Sequence, residues 1–177
     1  MPDQASYHFV ADYSDTVQEG LPGVVVPQQV YKPPAGQPEY KRLHRISFTH
    51  NGLPGIRLAD ALRLPIPNLH RAQSKPMLSE TGTRVALRIM WPGYAPWSHQ
   101  NAIDIFDHTL QANPATLERI AHRIATLFRG FCEEKSRERS REPSWQLRHD
   151  SFDKLYLVEL RHVSKGSWQP VICWDMA

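Results

Sequence analysis

Fifteen prolines in 177 residues set the strongest limit on how this chain folds. Each removes a backbone donor and opposes helix beyond its first turn. Six fall within residues 1–40, at Pro2, Pro22, Pro27, Pro33, Pro34 and Pro38. That stretch therefore reads as an extended arm rather than a helix. Within it, Val24 to Val26 lies between Gly23 and Pro27 and predicts a short edge strand. Pro65 and Pro67 end a brief helical turn in GIRLADALRLP. Pro92-Gly93 predicts a type II turn, because proline fixes φ and glycine supplies positive φ. Pro170 sits inside the strand Trp168–Trp174. Lacking an N–H, it predicts that this strand lies at a sheet edge or is bulged there.

One segment reads as a long helix. In NPATLERIAHRIATLFRGFCEE, Leu117, Ile120, Ala121, Ile124, Phe128 and Phe131 recur at helical spacing, so one face is buried. Asn113 is the expected N-cap and Pro114 the expected first helical residue. EEKSRERSRE continues the pattern as a solvated helix end and linker. Residues 133–150 hold five basic and five acidic side chains, so this is no basic nucleic-acid arm.

The other elements alternate. Ile46 and Phe48 begin a strand, and Asn51-Gly52 is a type I′ hairpin signal. A return strand at Ile56–Leu58 follows, and residues 68–83 read as loop. In TRVALRIMW, Val85, Leu87 and Ile89 share one face. FDKLYLVELRHVSKGSWQPVICW reads as a hairpin turning at Lys165-Gly166. The expected class is α+β: a small antiparallel sheet of hairpins packed on one long helix. The extended N-terminal arm would be residues 1–41, acidic and proline-rich, and the α+β domain residues 42–177.

No run of about 18 apolar residues is present, so no membrane span is expected. The polar, acidic start lacks the pattern of a secretory signal. Cys132 and Cys173 form neither a disulfide framework nor a zinc spacing. A cytoplasmic or nuclear protein is expected. Charge is uneven. Residues 1–40 carry five acidic side chains against Lys32, a net of −4, and residues 41–75 carry seven basic ones against Asp60, a net of +6. Such asymmetry suits an arm folding over a binding surface, or a polyanionic partner; a solvated surface is the simpler account.

Candidate sites follow from residue type. RIMWPGYAPWSHQ gathers Trp91, Tyr94 and Trp97 around Pro92 and Pro96. Aromatic rings beside prolines build grooves for proline-rich peptides, and beside Arg84 and Arg88 they stack bases. Trp91 continues the inward face and is expected to plug the core; Tyr94 and Trp97 are more open. Arg45 and Arg57, with Phe48 near the Asn-Gly turn, are the nucleic-acid candidates, although no recognised binding motif accompanies them. Trp168 and Gln169 would reach a ligand if exposed; turn chemistry and packing across the hairpin are the plainer reading.

His99, Asp104, Asp107 and His108 lie within ten residues of one another, and two histidines with a carboxylate can hold a metal. No HExxH spacing supports this, and surface polarity explains these residues more simply. Ser164, His162 and Asp153 lack a GxSxG elbow. GLPG lacks the lysine and hydroxyl residue of a phosphate loop. No cofactor is expected.

GIRLADAL, LRIMWPGYAPWSHQ and LVELRHVSKGSWQP together resemble a group of proteins from mushroom-forming fungi, the basidiomycetes. That group shares a G-I-x-L-x-D-A-L stretch, a W-P-G-Y-x-P-W element and an H-V-S-x-G-S-W-Q-P element. The correspondence covers residues 44–170 in the same order. It implies no activity, cofactor or ligand and carries no catalytic residue over.

The expectation is a non-catalytic binding module for a protein or nucleic-acid partner, using Tyr94, Trp97, Arg45, Arg57, Arg88, Trp168 and Gln169. A small hydrolase or metal-dependent enzyme built on His99, Asp104 and His108 is the first alternative. A self-associating homo-oligomer, with Pro170 and Trp174 at an exposed edge, is the second.

Overall fold

The computed structural model describes residues 20–97, 102–107 and 113–177. Strand β1 is Val24–Val25. Strands β2 (Ile46–Ser47), β3 (Thr49–His50), β4 (Leu53–Pro54) and β5 (Ile56–Arg57) lead into helix α1, Leu58–Ala61. Strands β6 (Arg84–Leu87), β7 (Ala102–Asp104), β8 (Phe106–Asp107) and β9 (Asn113–Pro114) precede helix α2, Leu117–Lys135. The long hairpin β10 (Leu155–Ser164) and β11 (Ser167–Trp174) closes the chain. The protein is α+β, with a seven-stranded open sheet in the order β2-β10-β11-β6-β7, β1 also pairing with β11 and β5 with β10.

Several sequence expectations hold. Asn51 and Gly52 both adopt positive φ, 51° and 76°, in the turn joining β3 to β4. Val24 and Val25 pair with Trp174 and Cys173. Val85, Leu87 and Ile89 are all buried. The apolar face of α2 joins Leu155, Leu157, Leu160, Trp168 and Ile172 in one large cluster. A smaller cluster forms from Val158, Val171 and Cys173, covered by Leu21, Val25 and Val30 of the arm. The sheet is thus covered by α2 on one side and by the arm on the other, so even its bulged strand β10 is largely buried.

Four expectations are corrected. The helix begins later than Asn113-Pro114. Those residues pair with Phe106-Asp107, and Thr116 is the cap, its hydroxyl accepting from Arg119 N–H. The N–H groups of Leu117 and Glu118 are taken by the Ser74 and Ala72 carbonyls, so a loop already supplies the acceptors a helix start needs. The helix also stops at Lys135, with Ser136 as C-cap, instead of running through EEKSRERSRE. Residues 136–150 turn back, burying Ser140 and Leu147. Third, the sheet is mixed: β6 runs parallel to β11, through Ser167↔Ala86 and Trp168↔Leu87.

The fourth correction concerns Pro170. Strand β11 is central, flanked by β10 on one side and by β6 and β1 on the other. The bulges lie in β10, near Val158 and Val163, opposite an unbroken β11. Alternate residues of a strand present their backbone groups to the same neighbour. On the β6/β1 side, the Gly166 and Trp168 carbonyls accept from Ala86 and Arg88, and the Ile172 carbonyl accepts from Val26. Pro170 falls between them, where β6 ends before β1 begins. There the Gln28 side chain completes the ladder: its Oε1 accepts from Met90 N–H at 3.0 Å and its Nε2 donates to the Pro170 carbonyl at 2.7 Å. Pro170 has no N–H left to satisfy. Proline is tolerated in mid-sheet because its missing donor faces a gap bridged by a side chain.

Gln28 is 1% exposed, so both groups it serves have no water to fall back on. Gln28→Leu would leave Met90 N–H and the Pro170 carbonyl unpaired in the interior. The expected loss is about 2–4 kcal/mol, read as a lower urea midpoint at unchanged slope. A surface change such as Gln37→Leu should leave the midpoint in place.

Candidate functional site

The turn that gathers the aromatic residues grows directly out of β6. Ile89 and Trp97 exchange both backbone hydrogen bonds, at 3.1 and 2.9 Å, closing residues 90–96 into a loop. Inside it, Trp91 to Tyr94 make the expected turn, with Tyr94 N–H donating to the Trp91 carbonyl and Gly93 at φ 81°. The segment after α2 forms the back wall. Arg141 N–H donates to the Gly93 carbonyl, and the Ser140 hydroxyl both accepts from Glu142 N–H and donates to the Glu142 carbonyl. A Cβ on Gly93 would sit 2.0 Å from Ser140 Oγ. Glycine is needed there for its φ and for its lack of volume.

The three aromatics have different roles. Trp91 is buried as expected, its indole donating to the Trp145 carbonyl at 2.9 Å. It meets Trp174, Phe131 and Phe128 at centroid distances of 5.7, 6.0 and 6.1 Å. Tyr94 is half-buried, its phenol oxygen accepting from Leu147 N–H at 3.0 Å and from Gln146 Nε2 at 2.9 Å. Burial pushes the phenol pKa above its usual value, while the Leu147 bond opposes that shift. Trp97 is pinned against α2: its indole donates to Glu134 at 3.0 Å and its ring lies 5.4 Å from Phe131. The Lys135 and Trp97 hydrogen bonds hold the Glu134 carboxyl below its usual range.

A groove of about 460 Å³ runs along this turn. Its apolar surface comes from Pro27, Met90, Pro92, Tyr94 and Pro96, and its polar groups from Gln29 and Glu142. Tyr94 therefore lines the groove, whereas Trp97 does not. No lysine or arginine lines it.

The basic candidates are not brought together here. Arg45 is half-exposed with its guanidinium 3.8 Å from Glu159. Arg57 donates to the Asp153 carbonyl at 2.6 Å. Arg88 donates to the Ser167 hydroxyl at 3.0 Å and lies 4.3 Å above the Tyr31 ring. Phe48 is buried and presents no face to a base.

Trp168 and Gln169 are corrected: both are 0% exposed, so neither meets an external partner in this structure. Trp168 donates to the Leu78 carbonyl at 2.9 Å. Gln169 binds the chain's own arm, accepting from Tyr31 N–H at 2.9 Å and donating to the Gln29 carbonyl at 2.8 Å. Its amide pairs with the arm as a strand residue would. Sequence reasoning singled out Gln169 but not this role, and it missed Gln28 altogether. The one hint was a proline in an otherwise regular strand, which calls for something unusual beside it.

Of the metal candidates, His99 and His108 lie outside the described residues. Asp104 pairs with Arg84 at 2.9 Å, and its carbonyl accepts from Arg123. Asp107 pairs with Arg123 and Arg119 at 2.9 and 3.3 Å. Among the described residues, no three His, Cys, Asp or Glu side chains are grouped to hold a metal. The edge expected at Pro170 and Trp174 is likewise absent, since β1 pairs with Trp174 and both residues are buried. Among the described residues no helix is long and apolar enough to cross a membrane. No family model, curated protein or solved structure matches this chain.

Gly93→Ala combines a disfavoured φ with a clash against Ser140, and should destabilise by about 2–3 kcal/mol or more. Thermal unfolding should show this as a clear drop in Tm. Gly36, also at positive φ but with open space around it, is the control: Gly36→Ala keeps only the conformational part of the cost.

Proposed function

We propose that this chain is a non-catalytic binding module whose partner is a protein, and that the groove beside the Trp91–Trp97 turn receives an extended, proline-containing segment of that partner. The observation carrying this reading is the lining of the groove: three prolines, a tyrosine and a methionine, with Gln29 and Glu142 as its polar groups. Rigid apolar walls around a shallow trough suit a chain already extended, which loses little freedom on binding. Met90 gives the floor an adaptable surface. Nucleic acid is less well served, because phosphates need clustered cations. Arg45, Arg57 and Arg88 are engaged by three different parts of the chain, and none lines the groove. A cytoplasmic or nuclear setting fits two free buried cysteines.

The test is fluorescence anisotropy with labelled proline-rich peptides, DNA and RNA at two salt concentrations. Peptide binding should be nearly independent of salt. Pro96→Glu, at an exposed groove position, should weaken it roughly tenfold, about 1.4 kcal/mol. Salt-steep binding of DNA or RNA, unaffected by Pro96→Glu, would contradict the proposal.

A further inference from the structure

A second cavity, of about 250 Å³, lies where the arm rejoins the sheet. Its lining includes Tyr40, Lys41, Leu43, Glu80, His162 and Lys165. His162 is buried on β10, its imidazole stacked on Trp168 at 4.8 Å and met edge-on by Tyr40 at 4.9 Å. Its Nδ1 accepts the N–H of Leu43 at 3.0 Å. A ring nitrogen that accepts carries no proton, so the imidazole is neutral with its hydrogen on Nε2. That nitrogen lies 3.4 Å from the Lys165 carbonyl.

We infer that His162 is a proton-operated latch for the arm: neutral, it holds residues 39–43 over the cavity, and protonated, it releases them. The chemistry is direct. Protonating Nδ1 sets one N–H against another, turning the hydrogen bond that pins Leu43 into a repulsion. Glu39, Tyr40, Lys41 and Leu43 supply much of the cavity wall, so their release opens the cavity to solvent.

The surroundings set the direction of the response. Burial lowers the His162 pKa and the nearby Arg42 charge acts the same way, while backbone bonds at Lys165 and Ser164 oppose them. Lys41 and Lys165 border the cavity with Arg42's sign of charge, and Glu39 and Glu80 border it with the opposite sign. With its pKa below the free value of about 6.5, docked His162 takes up a proton less readily than undocked His162. The latch is at full strength above about pH 6.5 and weakens as pH falls.

The test is NMR on the full chain, from about pH 7.5 to about pH 5, the range in which imidazole changes charge. The protection factor of the Leu43 amide and the ¹⁵N shifts of the His162 ring are followed together. They should share one midpoint, with protection falling by about tenfold per pH unit once titration begins, as one-proton linkage requires. In His162→Asn the Oδ1 takes the place of Nδ1 as acceptor and does not titrate, so Leu43 protection should stay level. Leu43 protection that is level in the wild type while His162 titrates, or that falls equally in the Asn variant, would overturn the latch. Should His162→Asn not fold, the wild-type curves still decide: separate midpoints for ring and amide refute the inference. None of these outcomes depends on peptide binding at the other groove.

Discussion

The amide of Gln28, set between Met90 N–H and the Pro170 carbonyl, is the contact on which the architecture turns. A proline in a central strand interrupts hydrogen bonding on one side. Strand β11 confines that interruption to the place where β6 has ended and β1 has not begun. One buried side chain then gives each flanking backbone group a partner. Without it, the parallel partner β6 and the antiparallel partner β1 could not share one edge of the same strand without leaving buried polar groups unpaired.

The arm is thereby part of the sheet. Its valines pair with the end of β11, its Gln28 fills the gap at Pro170, and its residues 29 and 31 are held by the Gln169 amide. Pro27 lies between Val26 and Gln28, whose backbone groups bond across it at 2.8 Å in a tight turn. That turn brings Pro27 and Gln29 to the groove opposite Pro92 and Pro96. Fold and groove are therefore coupled: the contacts that complete the sheet also place one wall of the candidate binding site. Farther along, the arm meets the sheet again at His162, where a titratable group replaces the neutral amides.

Local features were legible in the sequence because local rules decide them. The Asn51-Gly52 turn, the Pro92-Gly93 turn, the inward face of Val85, Leu87 and Ile89 and the burial of Trp91 all follow from backbone preference or periodicity. The docking of Val24–Val26 was visible as an apolar run between breakers. What the sequence hid depends on distant partners. Thr116 displaced Asn113 as helix cap because residues 72–74 supply acceptors from elsewhere in the chain. Pro170 pointed to an edge because nothing nearby in sequence reveals a glutamine 142 positions away. Trp168 and Gln169 looked like ligand contacts because an exposed arm-binding pair and a buried one have the same sequence. At the site, Tyr94 was placed correctly beside the groove, while Trp97 was drawn away by Glu134 and Phe131 on α2.

Hydrogen exchange at Met90 and Tyr31 in the unmodified protein is the most direct measurement of the central claim. Neither N–H bonds to a backbone carbonyl; each is held only by a glutamine side chain. If these amides complete the sheet, both should exchange as slowly as Arg88 and Val26, which sit on the regular ladder of β11. Fast exchange at Met90 and Tyr31, with Arg88 still protected, would show that the arm merely rests on the sheet and that the account of Pro170 is wrong.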